Sequence, residues 1–260
     1  SKTQHLDVGS GADRRRIAVL RTEGRAPGLL WLSGFKSDMV STKATALSEW
    51  AREKGLACTR FDYSGHGQSE GRFEDGTIGR WLEETRAVFA QMTAGPVIVV
   101  GSSMGGYIAL LLLRQLMAEA PDEAARIKAL VLIAPAWDMT EELMCNEFPQ
   151  DVRREILEKG VWLRPSAYGE PYPITRNLIE EGRRHLMGRQ AWDPGRPIHI
   201  LHGLQDPDVP WEHTLDLESI LTGGWTRVTA IPDGDHRLSR PEDLKLLCGV
   251  VEQLAIGAND

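Results

Sequence analysis

"VVGSSMGGYIAL", residues 99–110, sets two serines and three glycines between two apolar runs. Just before it, "PVIVV" (96–100) is a continuous β-branched run, the pattern of a strand buried on both faces in a parallel sheet. Just after it, "GYIALLLLRQLM" (106–117) is apolar on nearly every side of a helix, which suits a helix buried in the core. A membrane span fits poorly, because Gly101, the two serines, Gly105 and Gly106 interrupt a run of marginal length. A phosphate loop fits poorly as well: neither G-x-x-x-x-G-K-[ST] nor G-x-G-x-x-G is present. Two readings remain, a packing turn of small residues and a nucleophile elbow. Gly101-Ser102-Ser103-Met104-Gly105 matches G-x-S-x-G in the strand-to-helix context that an elbow needs, with Ser103 at the apex. Ser102, one residue early, reads as a small neighbour holding the turn.

Outward from this turn, strand-like and helix-like stretches alternate. "RIAVLR" (16–21) and "GLLWLSG" (28–34) are close enough to form an early hairpin. "STKATALSEWAREKG" (41–55) repeats Ala44, Leu47, Trp50 and Ala51 at helical spacing and stops at Gly55. "LACTRFDYSG" (56–65) reads as a strand, and "TIGRWLEETRAVFAQM" (77–92) as a helix opened by Thr77. "KALVLIAP" (128–135), "PIHILHG" (197–203) and "TRVTAI" (226–231) are further strands. "PEDLKLLCGVVEQLA" (241–255) is a closing helix that starts at Pro241. Residues 137–193 break the alternation with helical pieces, prolines and aromatics but no good strand. The expectation is an α/β fold in a single domain, 1–260, with a mostly parallel central sheet flanked by helices and a helical cap inserted at about 137–193.

Ligands on such sheets sit beyond the C-terminal strand ends, so the residues there are the candidates for chemistry. A serine hydroxyl needs a base to accept its proton. His236 lies in "PDGDHRLSRPED", directly after the last strand and at the same end of the sheet as Ser103. His5 is in a polar tail, His185 and His213 fall on helical stretches, and His199 is inside a strand. His66 and His202 lie in loops at the active edge, where a structural hydrogen-bonding role is the simpler reading. The imidazole needs an orienting carboxylate. The strand 197–202 is followed by Asp206, with Asp208 in reserve as a loop or cap carboxylate. An oxyanion hole would take the backbone N–H groups of Met104 and of Phe35, the latter in "LSGFKSDM" after the strand 28–33.

Bulk properties narrow the partners. The chain has 260 residues, 42% apolar and 26% charged, with a net charge of −7. It is long enough for a large core, and it has no basic block suited to nucleic acid or an anionic membrane. Cys58, Cys145 and Cys248 fit neither a zinc pattern nor a disulfide framework, which points to a reducing compartment. The polar opening "SKTQHLDVGSGADRRR" has no signal-peptide run. A cytoplasmic location is therefore expected, or the mitochondrial matrix if a presequence has been removed. Oligomeric state is not legible.

The order Ser103, Asp206, His236 along these strands is that of the α/β-hydrolase superfamily. "SGF", "RFDYSGHGQSEG", "GSSMGGY", "HGLQDPDVPW" and "GDHR" resemble that superfamily over nearly the whole chain. A closer resemblance, carried by "SDMVSTKA", "CTRFDYSGHGQSEG", "GSSMGG", "KGVWLRPSAYGE" and "LHGLQDPDVPW", is to the mitochondrial abhydrolase family of palmitoyl-protein thioesterases and acyl-glucuronide esterases. Pro207, His66 and residues 171–193 depart from that family's pattern. The resemblance implies Ser103 as nucleophile, Asp206 as acid and His236 as base, with Asp62 and His66 architectural. It implies hydrolysis of carboxylic esters or thioesters through an acyl-enzyme, on a small-molecule acyl substrate or an acylated protein, with no metal or cofactor. Trp137, Leu143, Met144, Phe148, Val161, Trp162 and Leu163 could form an apolar lid. Trp137, Phe148 and Trp162 are the candidate substrate contacts; the alternative is that they glue cap to body. Arg153, Arg154 and Arg164 could meet an anionic leaving group or simply be solvated. A carbon–carbon bond hydrolase, a cofactor-free haloperoxidase and a non-catalytic binding protein of the same fold stay open.

Overall fold

Eight strands pair in one sheet whose spatial order is β1-β2-β4-β3-β5-β6-β9-β10. In a computed structural model that describes residues 2–166 and 169–257, they are β1 (Gln4–Val8), β2 (Arg15–Thr22), β3 (Arg25–Leu32), β4 (Leu56–Phe61), β5 (Val97–Ser102), β6 (Ile127–Ile133), β9 (Ile198–Gly203) and β10 (Thr226–Ile231). Ala167 and Tyr168, within the quoted "KGVWLRPSAYGE", and the two chain ends lie outside the described residues. Every pairing from β4 to β10 is parallel; β1–β2 and β2–β4 are antiparallel. The helices are α1 (Thr42–Glu53), α2 (Ile78–Met92), α3 (Met104–Glu119), a short α4 (Pro121–Ala124), α5 (Gln150–Lys159), α6 (Arg176–Gly182), α7 (Trp211–Ile220) and α8 (Pro241–Gly257).

The central strands are apolar at every position because both faces are covered. Leu30, Leu32, Val97, Val99, Leu130 and Leu132 point to one side, where Trp81 and Phe89 of α2 and the apolar length of α3 meet them. Leu29, Trp31, Ile98, Val100, Ala129 and Val131 point to the other, against Leu47 and Ala51 of α1 and Leu247 and Val251 of α8. Each such large side chain taken out of water contributes about 1.5–3 kcal/mol. Alternation along each strand thus builds two cores from one sheet.

Three expectations are corrected. Residues 16–21 and 28–34 do not form a hairpin, because β4 lies between β2 and β3. The chain makes the crossing at Gly24, where a Cβ would come within 2.3 Å of the Leu56 carbonyl carbon. Only a residue without a side chain passes β4 there. Second, residues 4–8 of the polar opening form the edge strand β1, too short a stretch to stand out, with Leu6 and Val8 turned to the core and His5 and Asp7 exposed. Third, the segment between β6 and β9 is not purely helical. It holds a π-helical turn (Thr140–Cys145), α5, α6 and an antiparallel hairpin of β7 (Val161–Ser166) and β8 (Gly169–Thr175). Pro165, Pro171 and Pro173 hide that hairpin in the sequence. A two-stranded ribbon tolerates them because each strand keeps one unpaired edge.

Asp138 closes the base of this inserted segment. Its two carboxylate oxygens accept the N–H groups of Met187 (2.7 Å) and Gly188 (2.8 Å), tying the departing chain to the returning one. Asp138 itself is buried at a φ of 51°.

Candidate active site

The turn between β5 and α3 carries Ser103 at φ 54°, ψ −116°, a conformation that L-residues rarely adopt and that costs on the order of 1–3 kcal/mol. The surrounding backbone imposes it. Ser103 N–H donates to the Ile133 carbonyl (2.8 Å), and the Ser103 carbonyl accepts from Gly106 (3.0 Å) and Ala136 (3.1 Å). The flanking glycines are required by close approach: a Cβ on Gly105 would lie 2.0 Å from the Leu32 carbonyl oxygen, and one on Gly101 2.3 Å from the Gly105 carbonyl oxygen. Ser103 makes no side-chain cap to α3, so its hydroxyl is free to face outward. Ser102 is buried in the last position of β5, paired with Ile133.

His236, in the loop after β10, brings Nε2 to 3.2 Å from Ser103 Oγ and Nδ1 to 2.6 Å from Asp206 Oδ2. With Nδ1–H donated to the carboxylate, Nε2 is left to accept from the serine hydroxyl. Asp206 follows β9. Its other oxygen accepts the N–H groups of Asp208 (2.8 Å) and Val209 (2.9 Å), which fix its plane. Burial works to raise the Asp206 carboxyl, but the hydrogen bond and charge of His236 with these two amides outweigh it, and the net shift is downward. Asp208 is exposed and contributes only its backbone to this arrangement. Asp206, Asp208 and His236 could also hold a cation, since one ligand atom of each lies within 4.8 Å of the others. A metal there would compete for the Oδ2–Nδ1 contact that orients the imidazole, so the two arrangements exclude one another.

The loop after β3 completes the rim. Gly34 presses against the elbow, its would-be Cβ 3.3 Å from the Ser102 carbonyl oxygen. Among the described residues, neither Phe35 N–H nor Met104 N–H meets a protein acceptor. Met104 opens α3, where N-terminal amides have no intrahelical partner and the helix dipole favours negative charge. Lys36 sits at φ 61°, and its N–H donates to His66 Nε2 (3.2 Å), while the other nitrogen, Nδ1, donates to the Ser64 carbonyl (3.1 Å). Both bonds require the neutral imidazole, and burial pushes its pKa down to about 4. Asp62 accepts the N–H groups of Met39 (2.7 Å) and Gln68 (2.8 Å), joining the loops after β3 and β4.

These loops rest on a buried ion pair that sequence reading missed. Arg15 Nε donates to Glu84 Oε1 (2.6 Å), and Glu84 Oε2 accepts Ser64 N–H (2.8 Å). Both side chains are almost wholly buried, and Arg15 also reaches Glu83 and Asp13. Arg15 lies within a stretch read only as polar tail and strand, and its partner is sixty-nine residues away. No local pattern announces such a pair.

Four more histidines are structural hydrogen-bonders: His202 donates from Nε2 to the Val209 carbonyl and meets Thr214 Oγ1 with Nδ1, and His199 contacts Thr229. His185 pairs with Glu181 (2.5 Å). His213 bonds the Trp137 carbonyl (2.8 Å) and stacks on its indole (4.9 Å). This corrects the expectation for Trp137, which is 1% exposed and spends its indole N–H on the His213 carbonyl. It is body packing, with no face left for a substrate. Phe148 and Trp162 do pack edge to face (5.1 Å), with Arg164 over the Phe148 ring, but Leu163 points to solvent and Arg153 is tied to the Phe148 carbonyl. The cap residue that reaches the elbow side is one not singled out, Tyr172 of β8, whose ring lies 5.8 Å from that of Phe35.

A strained serine on a strand–helix turn, a histidine and a carboxylate from two later strand ends, and this sheet order define a class. The chain belongs to the alpha/beta hydrolase family, whose model matches residues 26–244. It is 33% identical over 244 residues to the human protein named palmitoyl-protein thioesterase ABHD10, mitochondrial, covering 93% of this chain and 77% of that one. Among solved structures, a putative hydrolase from Agrobacterium vitis S4 matches with a TM-score of 0.94 at 41% identity over 98% of both chains. Mouse alpha/beta hydrolase domain-containing protein 10 matches with a TM-score of 0.85 at 30% identity, also over 98% of both.

Proposed function

We propose that the protein is a serine hydrolase that cleaves carboxylic thioesters and esters through an acyl-enzyme. The observation that carries this reading is the unbroken relay Ser103 Oγ–His236–Asp206, beside two backbone N–H groups without acceptors. Ser103 Oγ attacks the acyl carbonyl while His236 Nε2 takes its proton. Asp206 stabilises the imidazolium that forms and holds its tautomer. The developing oxyanion takes the N–H groups of Phe35 and Met104; one such donor is worth on the order of 10²–10³ in turnover. His236 then protonates the leaving thiolate or alkoxide, and water activated by the same nitrogen releases the acid. The palmitoyl-protein thioesterase activity for which the ABHD10 relatives are named supports a thioester of a long acyl chain on a protein, with small acyl thioesters and esters as accessible substrates. The aromatic pair of Phe35, beside the elbow, and Tyr172 supplies apolar surface for that chain. The mitochondrial location in those names stays with those proteins.

The test is hydrolysis of a chain-length series of acyl thioesters and p-nitrophenyl esters, with fluorophosphonate labelling of the folded protein. Wild type should turn over and label at Ser103, and Ser103→Ala should do neither. Turnover that survives in Ser103→Ala and is lost in Ser102→Ala would overturn the assignment.

A further inference from the structure

His236 stands in a loop with little regular structure of its own, yet its ring must keep two contacts at once. Asp235 braces the loop from within: its Oδ1 accepts the N–H groups of Arg237 (3.1 Å) and Leu238 (3.0 Å), and Leu238 turns the chain at φ 43°. A second brace comes from elsewhere in the fold. Lys43, in the first turn of α1, extends its Nζ to the carbonyl of Arg237, the residue after His236. Ser239 Oγ donates to the same carbonyl (3.1 Å).

The setting of Lys43 is unusual for a lysine. Its half-buried side chain lines a small cavity with Ile133, Leu201, Ile231, Leu238 and Asp243. Among the described residues no carboxylate lies within ion-pairing reach of its ammonium. The charged groups that face it are Asp235 and Arg237 of the His236 loop and Asp243 of α8. Asp243 is engaged by Arg240 (2.9 Å). An aliphatic chain would pack against Ile133, Leu201 and Leu238 without the hydration an ammonium gives up there, so the lysine is accounted for by what its head group holds, the Arg237 carbonyl. Lys43 also belongs to "SDMVSTKA", a stretch that the Ser103–His236–Asp206 relay leaves unexplained.

We propose that Lys43 is a positioning residue for His236: its ammonium holds the Arg237 carbonyl and thereby locks the base loop to the helix that follows the oxyanion loop. The proposal rests on the hydrolase reading above. α1 begins directly after the loop that carries Phe35, so a single side chain ties the base to the oxyanion side of the site. Burial pushes the Lys43 ammonium down to about 8, with Asp235 and Asp243 working against that shift and Arg237 with it. Below pH 8 the loop therefore has a charge-assisted hydrogen bond, and above it a weaker neutral one. Proton linkage gives stability the opposite sense. Between about pH 8 and 10.5 the unfolded chain binds more protons at this lysine than the folded one, so this group favours folding increasingly as pH rises. Activity and stability thus move apart, which a purely structural role would not produce.

The experiment is a kcat and KM profile from pH 6 to 10 on an uncharged p-nitrophenyl ester, normalised by fluorophosphonate titration of active serine. Wild type should step down about fivefold in kcat near pH 8, to a lower plateau, with KM unchanged. Lys43→Met should lose about tenfold in kcat at pH 7 and show no step. Lys43→Arg, charged throughout the range, should restore most of the pH 7 rate and carry it flat to pH 10. A wild-type profile without a step between pH 7 and 9.5, or one that Lys43→Arg reproduces, overturns the proposal even if Lys43→Met fails to fold. Loss of the hydrolase reading is distinguishable, because it would show as turnover that does not depend on Ser103.

Discussion

Neutral histidines buried inside the fold make it acid-sensitive, and His66 allows the effect to be worked through. Its two ring nitrogens serve Lys36 N–H and the Ser64 carbonyl, a pattern open only to the uncharged ring. Its folded pKa is about 4, against 6.5 in an unconstrained chain, with burial as the main cause and the Lys36 charge adding to it. Between those values the unfolded state binds the extra proton, so stability is full above pH 6.5 and is lost as pH falls toward 4. At pH 5 the difference is about 2 kcal/mol from this one residue. His213, also lowered to about 4 by burial, adds a similar amount. Against the 5–15 kcal/mol typical of a whole fold, that is a large share. The assay is urea denaturation at pH 7 and pH 5 for wild type and His66→Gln, whose amide can accept from Lys36 and donate to Ser64 without titrating. The variant should lose about 2 kcal/mol less than wild type over this interval. Equal losses in the two proteins would refute the reasoning, because titrating carboxylates are common to both.

Two further outcomes follow from the geometry. Asp206→Asn should fold normally and lower kcat by about 10³–10⁴, because an amide at 2.6 Å from Nδ1 favours the wrong tautomer; a pH 7 rate within tenfold of wild type would count against Asp206. Glu84→Ala should destabilise by about 3–5 kcal/mol in a thermal or urea melt, since it strands Arg15 without its buried partner and Ser64 N–H without an acceptor.

How much of this could be read in the sequence depended on how local the cause was. The elbow was legible because its demands fall within five residues: β-branched strand, glycines where backbones touch, apolar helix. Asp206 and His236 were legible because strand ends in an alternating fold share one edge. The order of β2, β4 and β3 was not, because it turns on Gly24 passing over β4, a contact between residues far apart in the chain. The hairpin β7–β8 was hidden by three prolines that would exclude a strand from a wide sheet but not from a ribbon. Trp137 fell within the segment read as a cap, yet its indole stacks in the body, and no period in the sequence tells a lid aromatic from a packing one. Glu84 and Lys43 act on residues tens or hundreds of positions away, where a single chain offers no signal.

Asp138 bears on how such a protein can change. By gathering the start and the end of a fifty-residue excursion onto one carboxylate, it fixes where the excursion leaves the sheet and where it returns. Closing that large loop costs entropy, and the two bonds at its neck offset a part of it. The interior is bound to the body as well: Tyr107 and Arg114 of α3 donate to the His185 carbonyl, Gly79 N–H of α2 donates to Glu181, and Met144, Phe148 and Ile174 join the core on that face of the sheet. An exchange of residues 138–188 between relatives therefore has to carry the partners on α2 and α3 with it, and not the neck alone.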